Sequence, residues 1–303
     1  MKILLTGATG FIGKRVLELL QEQYSDAEIQ VLSGSEPQHS DTIRYISSRN
    51  YAFDADYLCS MDADAEMMIH MGAFIPKSGS EADDIEASTG NIRSTASLLA
   101  AAGKCSYLKK CIFISTVDVY SAATDALSES ALTVPQTMYG WSKLYCEQMV
   151  KAFAQQHGIG YEILRLGHVY GEGEEKYRKV MPVMVRNAVD GNDITIYGDG
   201  EALRTFIYID DVAQAIINAM THAESETINV VGNEAVTINA LASMIVRLSG
   251  AGSRIQIKHC PSDFPNRNLV FDNTRLMTTL LTELVPLETG LAREIAYIRK
   301  QRL

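Results

Sequence analysis

The first thirteen residues, reading MKILLTGATGFIG, constrain the fold of this chain more than any other stretch. The apolar run at 3–5 is typical of a short strand that is buried on both faces. Glycines follow at Gly7, Gly10 and Gly13, and an amphipathic stretch occupies 11–20. The pattern predicts a strand, a tight glycine turn and a helix whose first N–H groups face an anion. In this context the glycines predict a dinucleotide site: they turn the chain, admit a diphosphate and let the helix pack on the strand.

Strand and helix patterns alternate through the first half of the chain. Apolar runs predict five further strands, at 29–32, 43–46, 67–70, 111–115 and 161–166. Helical patterns at 83–102 and 139–157 separate the last three of these runs. Repeated strand–helix units predict an α/β fold with a doubly wound parallel sheet, and the ligand site of such a sheet lies beyond the carboxyl ends of its strands.

The alternation of strand and helix patterns becomes irregular after residue 170. Helical patterns continue at 176–190, 210–222 and 237–249 and in two closing segments. Shorter strand patterns lie between them, at 194–197, 206–209, 227–231, 255–258 and 269–271. We therefore expect a dinucleotide-binding domain at 1–170, with segments near 203–231 returning to it. A smaller lobe, mainly 171–303, is expected to bind substrate.

Composition and charge narrow the class of protein. The 303 residues carry a net charge of −10, which argues against nucleic acid or an anionic membrane as the main partner. The five cysteines form no Cys-x-x-Cys pair and are typical of reduced thiols in a cytoplasmic protein. Because the first strand is predicted to begin at Lys2, we expect no signal peptide, and because no apolar run is long enough to span a membrane, we expect no membrane-spanning helix. The acidic stretch at 54–66 lacks the turn glycine and distal glutamate of a calcium loop, so we expect no metal ion.

The segment Tyr139-Gly-Trp-Ser-Lys143 opens a helix and can carry acid–base chemistry. A tyrosine and a lysine four residues apart lie on one face of a helix, one turn from each other. An ammonium near a phenol favours the phenolate, so a lysine in this position lowers a tyrosine pKa from about 10 and makes the tyrosine a usable acid and base. The alternative is a surface pair without function.

Four stretches resemble one superfamily and follow its order along the chain, namely TGATGFIG, Tyr139-x-x-x-Lys143, LRLGHVYG and ITIYGDGEALRTFIYIDDVA. The chain is similar to the extended short-chain dehydrogenase/reductases, and within them to the nucleotide-sugar-modifying NAD-dependent epimerase/dehydratase family. The resemblance implies a Rossmann-type sheet with a smaller C-terminal α/β lobe and a nucleotide-diphosphate sugar as substrate. It also implies a homodimer formed through the helices that start near Asn91 and Tyr139.

The resemblance assigns roles to individual residues. Tyr139 would be the acid and base, Lys143 would also hold the nicotinamide ribose, and Thr116 would polarise the substrate, with Ser115 as second choice. The residues expected at the cofactor are Gly7, Thr9, Gly10, Phe11, Ile12, Gly13, Ser33, Met71, Gly72, Ala73, Ser115, Tyr139 and Lys143.

Six residues are expected at the substrate, Asn91, His168, Thr195, Tyr197, Arg204 and Arg267. Asn91 resembles the family's active-site asparagine, and a helix cap is the alternative. His168 stands where the family has a substrate-contacting asparagine, and a packed loop histidine is the alternative. The two residues at 195 and 197 would cradle the base. Arg204 and Arg267 would bind the diphosphate, for which guanidinium geometry is suited, with surface salt bridges as the alternative.

The adenine side of the cofactor site departs from the family. NAD enzymes of this type place a carboxylate at the end of the second strand to accept the ribose 2′-hydroxyl. Here that strand ends at Ser33, with neither a carboxylate to repel a 2′-phosphate nor an arginine to attract one. Lys14, Arg15, Arg44 or Arg49 could serve such a phosphate from elsewhere. The cofactor is therefore expected to be NAD or NADP, with a lean to NADP.

These features predict redox chemistry at C4 of a nucleotide sugar. We place an NDP-4-keto-sugar reductase first, because missing adenine-side contacts suit a cofactor that exchanges at each turnover. The alternative is a redox-neutral NDP-sugar 4-epimerase. A dehydratase is disfavoured, because the family's Asp-Glu pair is replaced by Val117 and Asp118. Two further alternatives are a non-catalytic NAD(P)-binding sensor, against which the tyrosine and lysine argue, and a reductase of a non-sugar carbonyl, against which Arg204 and its flanking motif argue.

Overall fold

The computed structural model describes residues 1–33, 43–47, 64–121, 126–177, 179–262 and 268–302. The chain divides into two compact units. The first comprises Met1–Ser121, Leu132–Leu166 and Ala213–Ile228. The second comprises Ala122–Ala131, Gly167–Val212 and Asn229–Leu303.

A seven-stranded sheet organises the first unit. Its strands are β1 (Lys2–Thr6), β2 (Glu28–Ser33), β3 (Ile43–Ser47), β4 (Met67–His70), β5 (Lys110–Thr116), β6 (Gly160–Leu166) and β10 (Glu226–Val230). They are ordered β10-β6-β5-β4-β1-β2-β3, and every pairing from β3 to β6 is parallel. The expected α/β fold with a doubly wound parallel sheet is therefore confirmed.

The strand order reverses at β1, which pairs with β2 on one side and with β4 on the other. At the end of β1, Thr6 is opposite Leu32 of β2 and His70 of β4. The chain therefore leaves the sheet in opposite directions from this point. Sheets of this kind bind their ligands beside such a reversal point, at the carboxyl ends of the strands.

Among the residues of this unit that the structure describes, helices α1 (Phe11–Gln23), α2 (Ile85–Ala102) and α3 (Met138–His157) accompany the sheet. Asp84 caps α2 by accepting a hydrogen bond from the Ala87 N–H, and Thr137 caps α3 in the same way through Gly140. Helix α3 ends at Gly158, whose φ of +65° suits a glycine C-cap. Apolar residues of α2 and α3 pack with strand residues in one core, which includes Leu4, Met68, Leu98, Phe113, Val150 and Ile163.

The described residues of the second unit form two small sheets. Strands β7 (His168–Tyr170), β9 (Leu203–Tyr208) and β11 (Ala235–Thr237) form one, and β8 (Ile194–Tyr197) pairs with β12 (Ile257–Cys260) in parallel in the other. Helices α4 (Val180–Asp190), α6 (Ile238–Leu248) and α8 (Leu287–Lys300) pack against one another, and α7 (Thr274–Thr279) precedes α8. Helix α5 (Ile209–Ala219) begins in this unit and continues into the first.

Several boundaries in the second half differ from the sequence-based expectations. The helix expected at 176–190 begins only at Val180, because Tyr177 and Lys179 are extended, with ψ of 140° and 167°. Strand β12 lies at 257–260 instead of 255–258, in register with β8. Strands β7 and β11 were not expected. Each is three residues long and is defined by pairing with β9, which a local pattern does not reveal.

Candidate active site

Gly7 and Gly13 allow the end of β1 to approach its neighbours closely. Gly7 has a φ of +76°, and a Cβ there would lie 2.6 Å from the backbone nitrogen of Gly72. A Cβ at Gly13 would lie 2.1 Å from the carbonyl oxygen of Gly7. Both distances are far below van der Waals contact. Neither position therefore admits a side chain while β1, α1 and the residues after β4 keep their places.

Gly10 has a more open environment at the start of α1. It caps the helix without a side-chain hydrogen bond, and the first turn carries no acidic residue. Apart from its two neighbours in the chain, a Cβ at Gly10 would meet one described atom within 4 Å, the Gly7 carbonyl oxygen at 3.1 Å. A helix N-terminus with backbone donors beside an open glycine fits the diphosphate of a dinucleotide. The residues of the turn therefore fit the expected cofactor.

His70 connects the glycine turn to α2 through a chain of hydrogen bonds. The Gly72 N–H donates to Thr6 Oγ1 (2.9 Å), which lies 2.7 Å from His70 Nδ1, and His70 Nε2 lies 3.0 Å from Thr95 Oγ1. Burial, and to a smaller extent the charge of Lys143, lowers the pKa of His70 to about 3, so the imidazole is neutral. These hydrogen bonds hold the backbone after β4 in place. Sequence reasoning missed this role, although a polar residue at the end of each of two apolar strands was a usable signal.

Strand β2 ends at Ser33, whose side chain is buried. Of the cations considered for a 2′-phosphate, Arg15 forms a 3.0 Å ion pair with Glu18, and Arg44 is exposed on β3. Arg49 lies outside the described residues. The described part of the adenine side therefore holds a serine hydroxyl where an NAD enzyme of this type has a carboxylate.

Tyr139 and Lys143 are both buried residues of α3, one helical turn apart. The Lys143 ammonium donates to the Ile114 carbonyl oxygen at 2.5 Å and lies 4.4 Å from the ring centroid of Phe113. Burial lowers the pKa of Lys143 to about 8, against the opposing effect of acidic groups on the same helix. The pair is therefore not a surface pair, and the low polarity around it is suited to altered acid–base behaviour.

The end of β5 lies beside the start of α3. Thr116 Oγ1 accepts a hydrogen bond from the Asp118 N–H and donates one to Asp118 Oδ2, both at 3.2 Å. A Cβ at Gly140 would lie 2.5 Å from the Asp118 carbonyl oxygen. The residue after Tyr139 is thus packed against the turn that begins at Thr116, and the expected catalytic residues belong to adjoining segments of one unit.

Ser115, the second candidate hydroxyl, is held by a buried carboxylate. Its Oγ donates to Glu147 Oε1 at 2.6 Å, and Arg165 pairs with the same carboxylate through Nη2 at 2.7 Å. Thr116 instead pairs with Asp118, which is exposed. Of the two hydroxyls, that of Thr116 is therefore the one linked to the protein surface.

Asn91 lies within α2, and Asp84 is the residue that caps this helix, so the helix-cap alternative for Asn91 is wrong. The Asn91 side chain accepts a 2.7 Å hydrogen bond from the Phe74 N–H and donates to the Phe74 carbonyl oxygen at 3.2 Å. Its amide nitrogen also lies 3.3 Å from Ser142 Oγ. Asn91 thereby holds the segment after β4 and contacts α3.

In the second unit, His168 on β7 and Arg204 on the adjacent β9 form a polar cluster. The pKa of His168 is lowered to about 4, chiefly by burial and then by the charge of Arg204. His168 Nδ1 is buried, and no hydrogen-bond partner for it lies in the part of the chain that the structure describes. Arg204 donates to the Leu203 carbonyl oxygen at 2.8 Å, and burial lowers the pKa of Arg204 as well.

Thr195 and Tyr197 are exposed residues of β8, whereas Ile194 and Ile196 between them are buried. The Tyr197 side chain is 73% exposed and so is available to stack on a planar ring. Arg267 lies outside the described residues.

A glycine turn at the reversal point of a parallel sheet, with a buried tyrosine–lysine pair next to the neighbouring strand end, defines a dinucleotide-dependent enzyme of the short-chain dehydrogenase/reductase type. The chain belongs to the NAD dependent epimerase/dehydratase family, whose model matches residues 3–232. The match confirms the expected family, its enzymatic nature and its nicotinamide cofactor class. The lean to NADP is not confirmed.

Relatives of similar length match the whole chain. A UDP-N-acetyl-alpha-D-glucosaminuronate decarboxylase of Bacillus cytotoxicus is 28% identical over 99% of this chain and 98% of its own. The structure of a UDP-glucose 4-epimerase of Thermotoga maritima with UDP-glucose has a TM-score of 0.87 and 26% identity, with 100% of both chains covered. That of a UDP-glucuronic acid 4-epimerase of Bacillus cereus, with UDP-glucuronic acid and NAD, has a TM-score of 0.86 and 27% identity over 99% and 100% of the two chains. Dehydratases and reductases of nucleotide sugars are further relatives.

Among the described residues, no helix combines the length and apolarity needed to cross a membrane.

Proposed function

We propose that this protein is a redox-neutral 4-epimerase of a UDP-sugar and that it uses NAD. The observation that carries the proposal is the buried Tyr139–Lys143 pair, one helical turn apart and adjoining the end of β5. Full-length similarity to two UDP-sugar 4-epimerases supports epimerisation over the reductase that we placed first from the sequence.

The side chains suggest how the proton would move. The Lys143 ammonium would favour the phenolate form of Tyr139, and this phenolate would accept the proton of the C4 hydroxyl of the sugar. The Thr116 hydroxyl would orient that oxygen. Bound NAD would supply a hydride acceptor and donor for C4. Tyr139 would return the proton once the sugar has presented its other face, so that the product differs only in its configuration at C4.

The first unit would hold the dinucleotide, with its diphosphate at the start of α1. The residues that we assign to it are Gly7, Thr9, Gly10, Phe11, Ile12, Gly13, Ser33, Met71, Gly72, Ala73, Tyr139 and Lys143. Ser115 would act through the backbone, since its hydroxyl is bound to Glu147. Asn91 would act indirectly, by holding Phe74.

The second unit would hold the nucleotide-sugar. Arg204 would pair with the diphosphate, and Tyr197 and Thr195 would contact the uracil. His168, whose Nδ1 has no hydrogen-bond partner among the described residues, would contact the sugar or the diphosphate. Arg267 is assigned to the diphosphate from the sequence alone.

A reductase of a 4-keto nucleotide sugar is the second candidate. Ser33 favours it, because a strand end without a carboxylate neither binds the 2′-hydroxyl of NAD strongly nor repels the 2′-phosphate of NADP. Such an enzyme would consume NADPH and release NADP at each turnover.

We also propose a homodimer in the cytoplasm. An apolar groove of about 350 Å³ on α2 and α3 is lined by residues that include Ile92, Met138 and Trp141. Trp141 and Tyr145, which also line this groove, are 48% and 57% exposed and are therefore available for contact with a second copy. The cysteines that the structure describes are free thiols, which supports a reducing compartment. Light scattering on Trp141→Lys should show monomers if this surface joins two copies.

Cofactor content and product analysis test the proposal. Freshly purified protein would be denatured and the released nucleotides identified by mass spectrometry. The protein would then be incubated with UDP-glucose, UDP-glucuronic acid or UDP-N-acetylglucosamine without added cofactor, and the products separated by chromatography. Bound NAD together with the C4 epimer of one substrate is the expected result. An empty site that prefers NADPH, with activity only on 4-keto sugars, would establish the reductase instead.

A further inference from the structure

Glu147 carries a buried negative charge one helical turn beyond Lys143 on α3. Its carboxylate accepts a hydrogen bond from Ser115 Oγ at 2.6 Å and two from Arg165, through Nε at 2.9 Å and Nη2 at 2.7 Å. Glu147 is 0% exposed and Arg165 is 4% exposed. Two opposite charges this deeply buried are tolerated only when they are paired and hydrogen-bonded, as they are here.

The same ion pair reaches the turn that follows Thr116. Arg165 Nη1 donates to the Tyr120 hydroxyl at 2.8 Å, and the guanidinium carbon lies 4.8 Å from the centre of the Tyr120 ring. The end of β5 is thus bound on both sides of Thr116, through Ser115 and through Tyr120. Both contacts lead to the Glu147 carboxylate on α3, directly from Ser115 and through Arg165 from Tyr120.

We propose that Glu147, paired with Arg165, is a positioning residue of the active site that binds β5 to α3 and supplies the negative charge that keeps Lys143 cationic. The inference rests on the proposed function in so far as Lys143 acts there as a cation. It assigns Glu147 and Arg165 no contact with substrate or cofactor. Their effect is transmitted through Ser115, Tyr120 and Lys143.

The charges around Lys143 determine whether loss of Glu147 or of Arg165 raises or lowers the pKa of Lys143. The groups concerned are Tyr139, Cys146 and Glu147 on α3, His70 on β4 and Arg165 on β6. Cys146 and Glu147 raise the pKa of Lys143, whereas burial lowers it more. Loss of Glu147 removes a negative charge and leaves Arg165 unpaired, and both changes disfavour the Lys143 cation. Loss of Arg165 leaves Glu147 unpaired and favours it.

Cofactor binding gives a readout that requires no knowledge of the sugar. NAD affinity would be measured by fluorescence quenching from pH 6 to 10 for wild type, Glu147→Gln and Arg165→Met. We expect the basic midpoint of binding to fall by about one pH unit in Glu147→Gln and to rise in Arg165→Met. A purely structural role would weaken binding in both variants without moving their midpoints in opposite directions, and that result would overturn the inference.

The double variant Glu147→Gln/Arg165→Met keeps the test decisive if a single variant does not fold. It removes both charges at once, so the midpoint should lie between those of Glu147→Gln and Arg165→Met. A midpoint as low as expected for Glu147→Gln would contradict the proposed charge effect. Wild-type protein that binds neither NAD nor NADP would instead refute the proposed function, which separates the two failures.

Discussion

The carbonyl oxygen of Asp118 and the Cα of Gly140 approach so closely that a Cβ on Gly140 would lie 2.5 Å from that oxygen. The contact joins the turn after β5, which follows Thr116, to the first turn of α3, which carries Tyr139. Any side chain at this position must separate the two segments. The relative placement of the Thr116 hydroxyl and the Tyr139 phenol, for which we propose catalytic roles, therefore depends on a residue that has no chemistry of its own.

Gly140→Ala should lower both activity and stability. The backbone oxygen cannot rotate away as a side chain could, so we expect a loss of about 1–3 kcal/mol in unfolding free energy and a fall in kcat that exceeds the change in NAD affinity. Urea unfolding and steady-state kinetics measure these effects. Gly90→Ala is the matched control, because a Cβ there meets nothing within 4 Å and alanine favours the helix. Equal behaviour of the two variants would contradict the close-contact argument.

Substitutions at Gly10 and Gly13 should separate cofactor binding from folding. Gly10→Ala meets one described atom at 3.1 Å, so the protein should fold while its new methyl group occupies the diphosphate face and weakens NAD binding about tenfold or more. Gly13→Ala meets the Gly7 carbonyl oxygen at 2.1 Å and should chiefly destabilise the fold. Thermal melts and NAD titrations distinguish the two cases. Tight NAD binding by a folded Gly10→Ala variant would argue against this placement of the diphosphate.

Tyr139→Phe should abolish most of the turnover and leave dinucleotide binding nearly intact. The phenylalanine ring retains the packing against Phe74 but cannot exchange a proton, so a loss of about 10²–10⁴-fold in kcat is expected. Tyr107→Phe serves as the control, since Tyr107 is 64% exposed. The assignment of the acid and base would have to be abandoned if Tyr139→Phe turned over at the wild-type rate.

Lys143→Met should stabilise the cofactor-free protein in a pH-dependent way. Lys143 titrates at about 8 when folded and at 10.5 in the unfolded reference, so between these values the unfolded chain binds more protons and wild-type stability rises with pH. The variant should be more stable below pH 8, by on the order of 3 kcal/mol, and its advantage should vanish towards pH 10.5. Urea unfolding of both proteins from pH 7 to 10 measures the difference. A gap that is constant with pH would show that Lys143 is not destabilised by burial.

Glu294→Gln should stabilise the second unit increasingly as the pH rises. Burial, followed by repulsion from Glu174, raises the pKa of Glu294 to about 9, so the folded chain binds more protons than the unfolded chain between pH 4.5 and 9. The free energy of unfolding that depends on Glu294 therefore falls as the pH rises from 4.5 to 9. The neutral amide of Glu294→Gln does not titrate, so the variant does not lose this stability. The gain should be larger at pH 8 than at pH 5 in denaturant titrations. Glu288→Gln on the same helix is the control, because the Arg247 ion pair lowers the pKa of Glu288 and no such growth is expected.

The elements that the sequence predicted best are those defined by local patterns. The strand, glycine turn and helix at the N-terminus and the helix of Tyr139 were located within three residues, because their periodicity, caps and glycines are contiguous. The starts of α4 and β12 were misplaced, because the local pattern does not show that the backbone at Lys179 is extended, and the position of β12 is set by pairing with the distant β8.

In the candidate site, too, the residues that are close in sequence were predictable and those that meet only after folding were not. Tyr139 and Lys143 were recognisable because they are four residues apart on one helix. The partners that hold the site in place were not, since Glu147 and Arg165 are separated by 18 residues and Thr6 and His70 by 64. The alternative role of Asn91 as a helix cap was decided only by its hydrogen bonds to Phe74.

The sequence by itself determined the fold class, the family and the residues with the right chemistry, because strand and helix periodicity, glycine spacing and side-chain type are written locally along the chain. The tertiary structure alone decided which of those groups are buried, which are paired and in what state of charge they exist. Burial and pairing depend on segments that meet only when the chain has folded, and the cost of burying a polar group without a partner makes these meetings specific.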